Sequence, residues 1–338
     1  MFTAEYKGIN SFLVGASKLL LEHGVKRETR GKVCYELPEP FMFKITNPKA
    51  RLITIPERKW NVALAYAESL WLAGGRNDLA MISHYLKRMI EFSDDGESMR
   101  GGYGPRLRKY NGNSNDYKIS SSLQNSNEYC FNQVDQLEFV IKCFKKDINT
   151  RQAIITIGDP TKDCFDNSGQ LKKTNDFPCT RSLHFMKHPT ENKLNLTVYM
   201  RSNDLLWGAS AVNIFNFTFM QEYIAQIVNL QVGEYFHIAN NFHYYEEKRQ
   251  IIERISKVES YSDESYNYNY SFKTLNDFDL KLKCLEKEEH NFSHYKLNEV
   301  DFEDEFFNDW FKILYHQNTK MNVEFSNPIL NKILNLKI

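Results

Sequence analysis

The hydrophobic period changes along the chain, and this change limits the folds that are open to it. Apolar and polar residues alternate, as in half-buried strands, over 153–157, 183–185 and 194–200. Apolar residues recur at helical spacing over 61–71, 135–145 and 213–230. Three strands close together in the sequence, beside separate helices, predict the α+β class.

Composition excludes several kinds of protein. Hydrophobic residues make up 42% and charged residues 25% of the 338, so the chain is neither disordered nor embedded in a membrane as a whole. The uncharged run 205–220 is shorter than the ~20 residues of a spanning helix, and no secretory signal opens the sequence. The 43 basic and 43 acidic residues cancel, which argues against a nucleic-acid partner bound through a strong positive field. We expect a cytoplasmic protein.

Cysteine and histidine patterns give no sign of a metal. The six cysteines contain no C-x-x-C pair, which predicts free thiols in a reducing compartment. His237, His243 and Tyr245 fall within nine residues, but without an H-E-x-x-H motif we expect no metal. The glycines of 101–105 predict a loop that is not of the dinucleotide-binding kind.

Three residues are candidates for chemistry on their own evidence. Cys179 follows a proline at the start of a strand and is either a nucleophile or a buried small hydrophobe. Arg201 ends the next strand; if the two strands pair, its guanidinium would lower the pKa of the thiol, although a solvated strand end is equally ordinary. Glu68 lies in an apolar helix, where a buried carboxylate would have a raised pKa suited to proton transfer unless it faces water.

Seven short motifs, taken in order, resemble the thymidylate synthase family. They are Glu68-Ser69-Leu70-Trp71-Leu72, Tyr103-Gly104, Asp135-Gln136-Leu137, Thr150-Arg151-Gln152-Ala153-Ile154-Ile155, Pro178-Cys179, Met200-Arg201-Ser202-Asn203-Asp204-Leu205-Leu206-Trp207-Gly208 and His243-Tyr244-Tyr245. The resemblance covers roughly residues 10–250. It implies a single α+β domain with a twisted mixed sheet packed by helices, one sheet face forming the interface of a homodimer.

The implied reaction transfers one carbon from 5,10-methylenetetrahydrofolate to C5 of a pyrimidine nucleoside 5′-monophosphate. The resemblance makes Cys179 the nucleophile that adds to C6 of the base. It makes Glu68 the general acid and base that acts through water, and Tyr103 a helper in removing the C5 proton. Arg201 would activate the thiolate and bind the phosphate.

The resemblance also assigns binding roles. Ser202 would bind the phosphate with Arg27, for which Arg30 is a competing choice, and Arg151 would reach the phosphate of the partner subunit. His243 and Tyr245 would hold the sugar 3′-hydroxyl. The folate would contact Asp204 and Trp71.

The pyrimidine-reading asparagine of the family falls on Val212 if no residue is inserted and on Asn213 if one is. We favour the insertion, because an amide can donate to O4 and accept from N3 of uracil. An aspartate would suit cytosine instead, so dUMP is the preferred nucleotide over dCMP. Whether ribose or deoxyribose is bound stays open.

Several residues depart from the family pattern. Thr180 follows the nucleophile, as in nucleotide hydroxymethylases of the same superfamily, and His184, Gln152 and Asn241 replace expected residues. No match to the folate-capping tail is apparent. These departures favour attack by water, and therefore 5-hydroxymethyl-dUMP as the product, over hydride transfer that gives dTMP and dihydrofolate.

Two other classes of function stay open. A catalytically quiet relative would bind nucleotide or RNA, and a cysteine hydrolase would use Cys179 with His243.

The composition changes after residue 248 to a region rich in Tyr, Asn, Asp and Glu without glycine. We expect a catalytic domain over 1–250 and a divergent region over 251–338, peripheral and partly extended, that packs on the domain or extends it.

Overall fold

The computed structural model describes residues 1–29, 31–121, 132–292 and 300–335. In these residues ten strands form two sheets. The strands are β1 Phe2–Tyr6, β2 Val25–Thr29, β3 Lys32–Glu36, β4 Phe41–Ile45, β5 Ile154–Thr156, β6 Thr180–Lys187, β7 Lys193–Met200, β8 Asn203–Asp204, β9 Gln231–Ala239 and β10 Phe242–Tyr245. The α-helices are α1 Ile9–His23, α2 Val62–Ala73, α3 Leu79–Tyr85, α4 Tyr103–Arg108, α5 Gln136–Lys146, α6 Pro160–Asp163, α7 Ile214–Ile227, α8 Arg249–Ser256, α9 Leu275–Phe292, α10 Glu305–Thr319 and α11 Pro328–Asn335.

The larger sheet is mixed, and its strand order is β1-β4-β9-β7-β6-β5. β1 with β4 and β7 with β9 are parallel, and the other neighbours are antiparallel. The smaller sheet has the order β2-β3-β10-β8. Strands and helices together confirm the predicted α+β class.

The predicted alternation of apolar and polar residues determines which side chains of the large sheet are buried. Leu194, Leu196, Val198 and Met200 on β7 are all buried, because every second side chain of a strand points to the same face. Their partners across the sheet on β6 include the buried Leu183. The three predicted strands are therefore present, and one face of them belongs to the core.

The predicted helices are also present. α2 begins after Asn61, whose side chain accepts a hydrogen bond from Leu64 N at 3.2 Å, as an N-cap residue does. The third predicted helix is divided: a π-helix, Leu205–Asn213, leads directly into α7. In the π-helix, Ile214 N donates to Ala209 O, five residues back.

The loop predicted over 101–105 is wrong for its second half, because α4 begins at Tyr103. Pro105 lies in the first turn of α4, where backbone N–H groups have no intrahelical acceptor and a proline is tolerated. Gly101 and Gly102 remain outside the helix. The turn that they form leaves Tyr103 at the very start of α4.

The region after residue 250 is mostly helical, with an irregular tyrosine-rich stretch over 258–273. The expectation that it is peripheral is wrong for α10. Trp310 is fully buried, its indole N–H donates to Tyr66 O on α2 at 2.9 Å, and its ring lies 4.8 Å from that of Phe219 on α7. Aromatic residues at helical spacing along α10 give it an apolar face. The division at residue 250 stays a prediction.

Two further findings concern the described residues. The five cysteines among them, Cys34, Cys143, Cys164, Cys179 and Cys284, are free thiols, and Cys130 lies outside these residues. In the same ranges none of the helices combines the length and the apolar character needed to span a bilayer.

We expect Trp310→Ala to lower the free energy of unfolding by about 3–5 kcal/mol, because it removes a large buried side chain from the contact between α10, α2 and α7. Urea unfolding followed by circular dichroism would measure the loss. The matched control is Leu280→Ala on α9, where the leucine is 60% exposed and the expected change is within about 0.5 kcal/mol. Equal effects of the two substitutions would contradict the buried packing of α10.

Candidate active site

The antiparallel pairing of β6 and β7 places Cys179 beside Arg201. Thr180 lies opposite Met200 in the register, and Arg201 N donates to Cys179 O at 2.9 Å. The guanidinium of Arg201 donates from Nε to Pro178 O at 3.0 Å and from Nη2 to Phe177 O at 2.7 Å. Two carbonyls of the segment before the cysteine therefore hold this arginine in place.

A cavity of about 570 Å³ lies over this junction. Every residue predicted for the site lines it except Arg151, and both Val212 and Asn213 do. The lining residues among the predicted set are Arg27, Glu68, Trp71, Tyr103, Cys179, Arg201, Ser202, Asp204, Asn213, His243 and Tyr245. Arg30 lies outside the described residues.

Arg151 does not reach the cavity. It is exposed in the bend before β5, and its carbonyl accepts a hydrogen bond from His184 Nε2 at 3.1 Å. Its expected contact with the phosphate of a partner subunit stays a prediction.

Glu68 projects from α2 into the cavity. Burial raises the pKa of its carboxyl from 4.5 to about 7, and the hydrogen bond that Asn216 Nδ2 donates to Oε1 at 3.0 Å lowers it in part. Ser69 Oγ donates to the other end of the same amide at 2.7 Å and so fixes its orientation. Glu68 can therefore gain or lose a proton near neutral pH, as a general acid and base must.

Tyr103 stands at the start of α4 and meets the strand that carries the cysteine. Its hydroxyl oxygen accepts a hydrogen bond from Thr180 N at 3.1 Å. Burial first, and then the nearby Cys179, raise the pKa of this phenol. Tyr103 therefore keeps its proton at neutral pH and can donate it in a hydrogen bond to a ligand.

His243 is buried on β10, and its Nδ1 has no hydrogen-bond partner in the described ranges. Burial lowers the pKa of the imidazole from 6.5 to about 4, so the ring is neutral. The ring of Tyr245 packs edge-on against it at 5.3 Å between centroids. A neutral ring with an unused nitrogen suits a hydroxyl group.

Asp204 caps the π-helix by accepting a hydrogen bond from Trp207 N. Its second oxygen, Oδ2, is buried and has no hydrogen-bond partner among the residues described. Burial raises the pKa of the carboxyl from 3.8 to about 6. A ligand that donates a hydrogen bond to Oδ2 would remove this deficit.

The wall beside Asp204 is apolar. It includes Trp71, Leu72, Leu86, Met89, Phe92 and Trp207. Trp71 is fixed by a hydrogen bond from its indole N–H to Asp78 O at 3.0 Å, and the rings of Phe92 and Trp207 lie 5.6 Å apart. Such a wall suits a flat aromatic ring.

The π-helix bears on the choice between Val212 and Asn213. A π-turn holds one more residue than an α-turn, so it accommodates one added residue between Gly208 and α7. Asn213 ends the π-helix, and its Nδ2 donates to Asn203 Oδ1 at 3.2 Å at the cavity wall. Val212 offers the cavity no polar side-chain atom.

Comparison with known proteins identifies the family. The thymidylate synthase family model matches residues 14–325. The chain belongs to the thymidylate synthase family. The match continues past residue 250, where the motifs quoted above end.

Three curated relatives illustrate what the chain is similar to. It is 34% identical over 241 residues to the deoxyuridylate hydroxymethyltransferase of Bacillus phage SP01, which covers 71% of this chain and 58% of the relative. It is 32% identical over 224 residues to the protein of that name from Pseudomonas phage M6, and this match covers 66% of this chain and 56% of the relative. It is 25% identical over 276 residues to the thymidylate synthase of Histophilus somni strain 2336, and this match covers 76% of this chain and 86% of the relative. The chain thus spans little more than half the length of these two phage relatives.

Sequence reasoning missed two polar residues that line the cavity, Glu36 and Asp176. Glu36 on β3 accepts from Arg27 Nε at 2.6 Å and from Asn241 Nδ2 at 2.6 Å. Asn241 Oδ1 in turn accepts from Ser202 Oγ at 3.0 Å. The alternation of β3, which puts Cys34 and Glu36 on one face, was the available signal. Its partners are Arg27 on β2 and Asn241 in the connection between β9 and β10, and they could not be identified from spacing.

No group of three or more His, Cys, Asp or Glu side chains that could hold a metal occurs in the described part of the chain.

Asp176 was a second unrecognised residue of the cavity wall. Gly101 N donates to its Oδ2 at 2.7 Å, and burial raises the pKa of its carboxyl from 3.8 to about 6. It fixes the glycine turn that precedes Tyr103.

Glu68→Gln tests the raised pKa of Glu68. Between about pH 4.5 and pH 7 the folded protein keeps a proton that the unfolded chain has lost, so this group makes stability fall as pH rises. Glutamine has no such titration. We therefore expect the variant to gain stability relative to the wild type between about pH 5 and pH 8, measured by urea unfolding at several pH values.

The control for this experiment is Glu259→Gln, at an exposed position. Its stability difference from the wild type should stay constant over the same pH range. A constant difference for Glu68→Gln as well would show that Glu68 titrates as an ordinary solvated carboxylate.

Proposed function

We propose that this protein transfers a one-carbon unit from 5,10-methylenetetrahydrofolate to C5 of dUMP and releases 5-hydroxymethyl-dUMP. The observation that carries the proposal is the placement of Cys179 beside Arg201 in one cavity with Glu68, Asn213 and His243. The phage relatives named deoxyuridylate hydroxymethyltransferase support the choice of product.

The nucleotide would lie along the polar side of the cavity. Its phosphate would bind Arg201, Ser202 and Arg27, since guanidinium groups form charge-assisted hydrogen bonds with phosphate oxygens. The sugar 3′-hydroxyl would bind His243, whose Nδ1 needs a partner, and Tyr245. The base would then face Asn213 with C6 towards Cys179.

The folate would lie against the apolar wall. Its pterin would stack near Trp71, and its N–H groups would donate to the unpartnered Oδ2 of Asp204. The bound folate supplies a one-carbon unit at the oxidation level of formaldehyde. The residues present fit a ligand of this kind.

Covalent catalysis would make C5 a nucleophile. The bond from Cys179 Sγ to C6 forms as the C5–C6 double bond breaks, and the electron pair passes to O4 as an enolate. C5 then bonds to the one-carbon unit, and Tyr103 holds the water that takes the C5 proton. The electron pair of the broken C5–H bond would then form a double bond to the one-carbon unit as the bond from that unit to the folate nitrogen breaks, which leaves an exocyclic methylene group on C5.

Water would complete the reaction. Glu68, with a pKa of about 7, takes a proton from a water molecule as the oxygen adds to the methylene carbon. The enolate that re-forms expels Cys179 Sγ and restores the C5–C6 double bond.

Thymidylate synthesis is the second candidate function. The relative from Histophilus somni matches over 86% of its own length, and the same cavity would bind the same two substrates. Hydride transfer in place of water addition would give dTMP and dihydrofolate. Membership of this family argues against a cysteine hydrolase.

We also propose a homodimer. Ile154, Met186 and Tyr199 are exposed apolar residues on β5, β6 and β7. By the register of the strands they lie on the face opposite the core. Arg151 is exposed next to β5, where it would reach a partner subunit packed on this face.

Product analysis tests the proposed reaction. Purified protein incubated with methylenetetrahydrofolate and dUMP should yield a hydroxymethylated nucleotide by mass spectrometry, without the absorbance change of dihydrofolate. Cys179→Ser should bind dUMP and form no product. A methylated nucleotide with stoichiometric dihydrofolate would instead make the protein a thymidylate synthase.

The reading of the base by Asn213 is tested by alanine substitutions at both candidate positions. Asn213→Ala should raise KM for dUMP about tenfold or more, since two hydrogen bonds to the base are lost. Val212→Ala should change KM by less than about threefold, because it removes only apolar contact. Steady-state kinetics with dUMP would measure both, and the reverse order would place Val212 at the base.

A further inference from the structure

A chain of polar side chains runs from Asn213 into the core. Asn213 Nδ2 donates to Asn203 Oδ1 at 3.2 Å, and Asn203 Nδ2 lies 3.1 Å from His237 Nε2. His237 Nδ1 lies 2.8 Å from the hydroxyl of Tyr235. We call Asn203, His237 and Tyr235 the relay.

The relay is buried. His237 and Tyr235 are 0% exposed on β9, a strand between β4 and β7 in the large sheet, and Asn203 is 3% exposed on β8. The imidazole stacks on Phe43 at 4.8 Å between centroids. Polar groups at such positions destabilise a core unless they are hydrogen-bonded. Each member of the relay therefore depends on the orientation of its neighbour.

Two observations fix the direction of the hydrogen bonds. Burial lowers the pKa of His237 from 6.5 to about 3, so the ring is neutral and has one donor and one acceptor nitrogen. The thioether sulfur of Met200 lies 3.3 Å from Asn203 Nδ2 and 3.8 Å from Asn213 Nδ2. Because this sulfur is an acceptor, the nitrogen and not the oxygen of each amide faces it.

The orientation of the Asn203 amide determines the donor and the acceptor in the other hydrogen bonds of the relay. Asn203 Nδ2 donates to His237 Nε2, so the imidazole proton is on Nδ1 and points to the oxygen of Tyr235. At the other end, Asn203 offers only its oxygen to Asn213. One N–H of Asn213 is thereby used, and the other faces the Met200 sulfur, which lies 3.8 Å from Nδ2. Because a thioether sulfur is only a weak acceptor, a carbonyl oxygen of a ligand can replace it, and the oxygen of Asn213 is also left for a ligand.

This orientation distinguishes two bases. Uracil presents a donor at N3 and an acceptor at O4, which match the free oxygen and the second N–H of Asn213. Cytosine presents an acceptor at N3 and a donor at N4, and would need the amide turned by 180°. The turned amide would bring its oxygen against Asn203 Oδ1, two acceptors at hydrogen-bonding distance.

We propose that Asn203, His237 and Tyr235 are positioning residues that hold the amide of Asn213 in the orientation that accepts uracil and rejects cytosine. This inference rests on the proposed function, in which Asn213 faces the base. It adds the physical reason for the choice of base. The substrate class that follows is uracil nucleotides, with cytosine nucleotides excluded by an acceptor–acceptor contact.

The test uses two variants of the full chain and measures nucleotide binding without folate. Asn203→Leu removes the acceptor for Asn213 at similar volume, and Tyr235→Phe removes only the last hydroxyl of the relay. Isothermal titration calorimetry gives the dissociation constants for dUMP and for dCMP. We expect Asn203→Leu to reduce the preference for dUMP about tenfold, which corresponds to one oriented hydrogen bond, and Tyr235→Phe to reduce it less.

The matched control is Tyr223→Phe on α7, a buried tyrosine outside the relay. It should leave the preference for dUMP unchanged, whatever its effect on the melting temperature. If Asn203→Leu does not fold, the difference between Tyr235→Phe and Tyr223→Phe decides the test.

The outcomes separate this inference from the proposed function. Lower melting temperatures with an unchanged ratio of the two constants would show that the relay only satisfies buried polar groups, and would overturn the inference alone. Failure of the wild-type protein to bind either nucleotide would overturn the proposed function and the inference with it.

Discussion

The register between β6 and β7 is the constraint on which the site depends. Every second residue of β7 is buried against the helices, so a slip of one residue would turn these side chains out of the core. The same register places the residue before β6 next to the residue after β7. Burial of the apolar Leu194, Leu196 and Val198 fixes the register of β7 against β6, and this register makes Cys179 and Arg201 neighbours.

The π-helix is the second constraint, and residues outside it stabilise it. Arg58 donates from Nη2 to Leu206 O at 2.5 Å and from Nε to Ser210 Oγ at 3.0 Å, and the indole N–H of Trp60 donates to Ala211 O at 2.8 Å. Burial lowers the pKa of Arg58 to about 10, so its guanidinium is still charged at neutral pH. These contacts stabilise the wider π-turn relative to an α-turn. The π-turn in turn places Asn213 within hydrogen-bonding distance of Asn203 in the relay.

Hydrophobic periodicity in the sequence predicted the strands and helices whose buried faces it encodes. Alternation identified β5, β6 and β7, and helical spacing identified α2, α5 and α7. Motif order then identified residues that line the cavity. What stayed hidden depends on contacts between distant segments: Glu36 meets Asn241 across 205 residues, and Asn203 meets His237 across 34. The burial of Trp310 was missed because acidic neighbours in 301–305 suggested a solvated segment.

The charges around the cavity explain why Arg201 and Arg27 would contribute differently to anion binding. Arg27 already forms an ion pair with Glu36, so a phosphate would have to compete with that carboxylate. Arg201 forms no ion pair among the residues that the structure describes, and its guanidinium is held by backbone carbonyls of 177 and 178. Carbonyl groups orient the guanidinium without cancelling its charge. That positive charge stays available to an anion in the cavity, whether the phosphate of a nucleotide or the thiolate of Cys179.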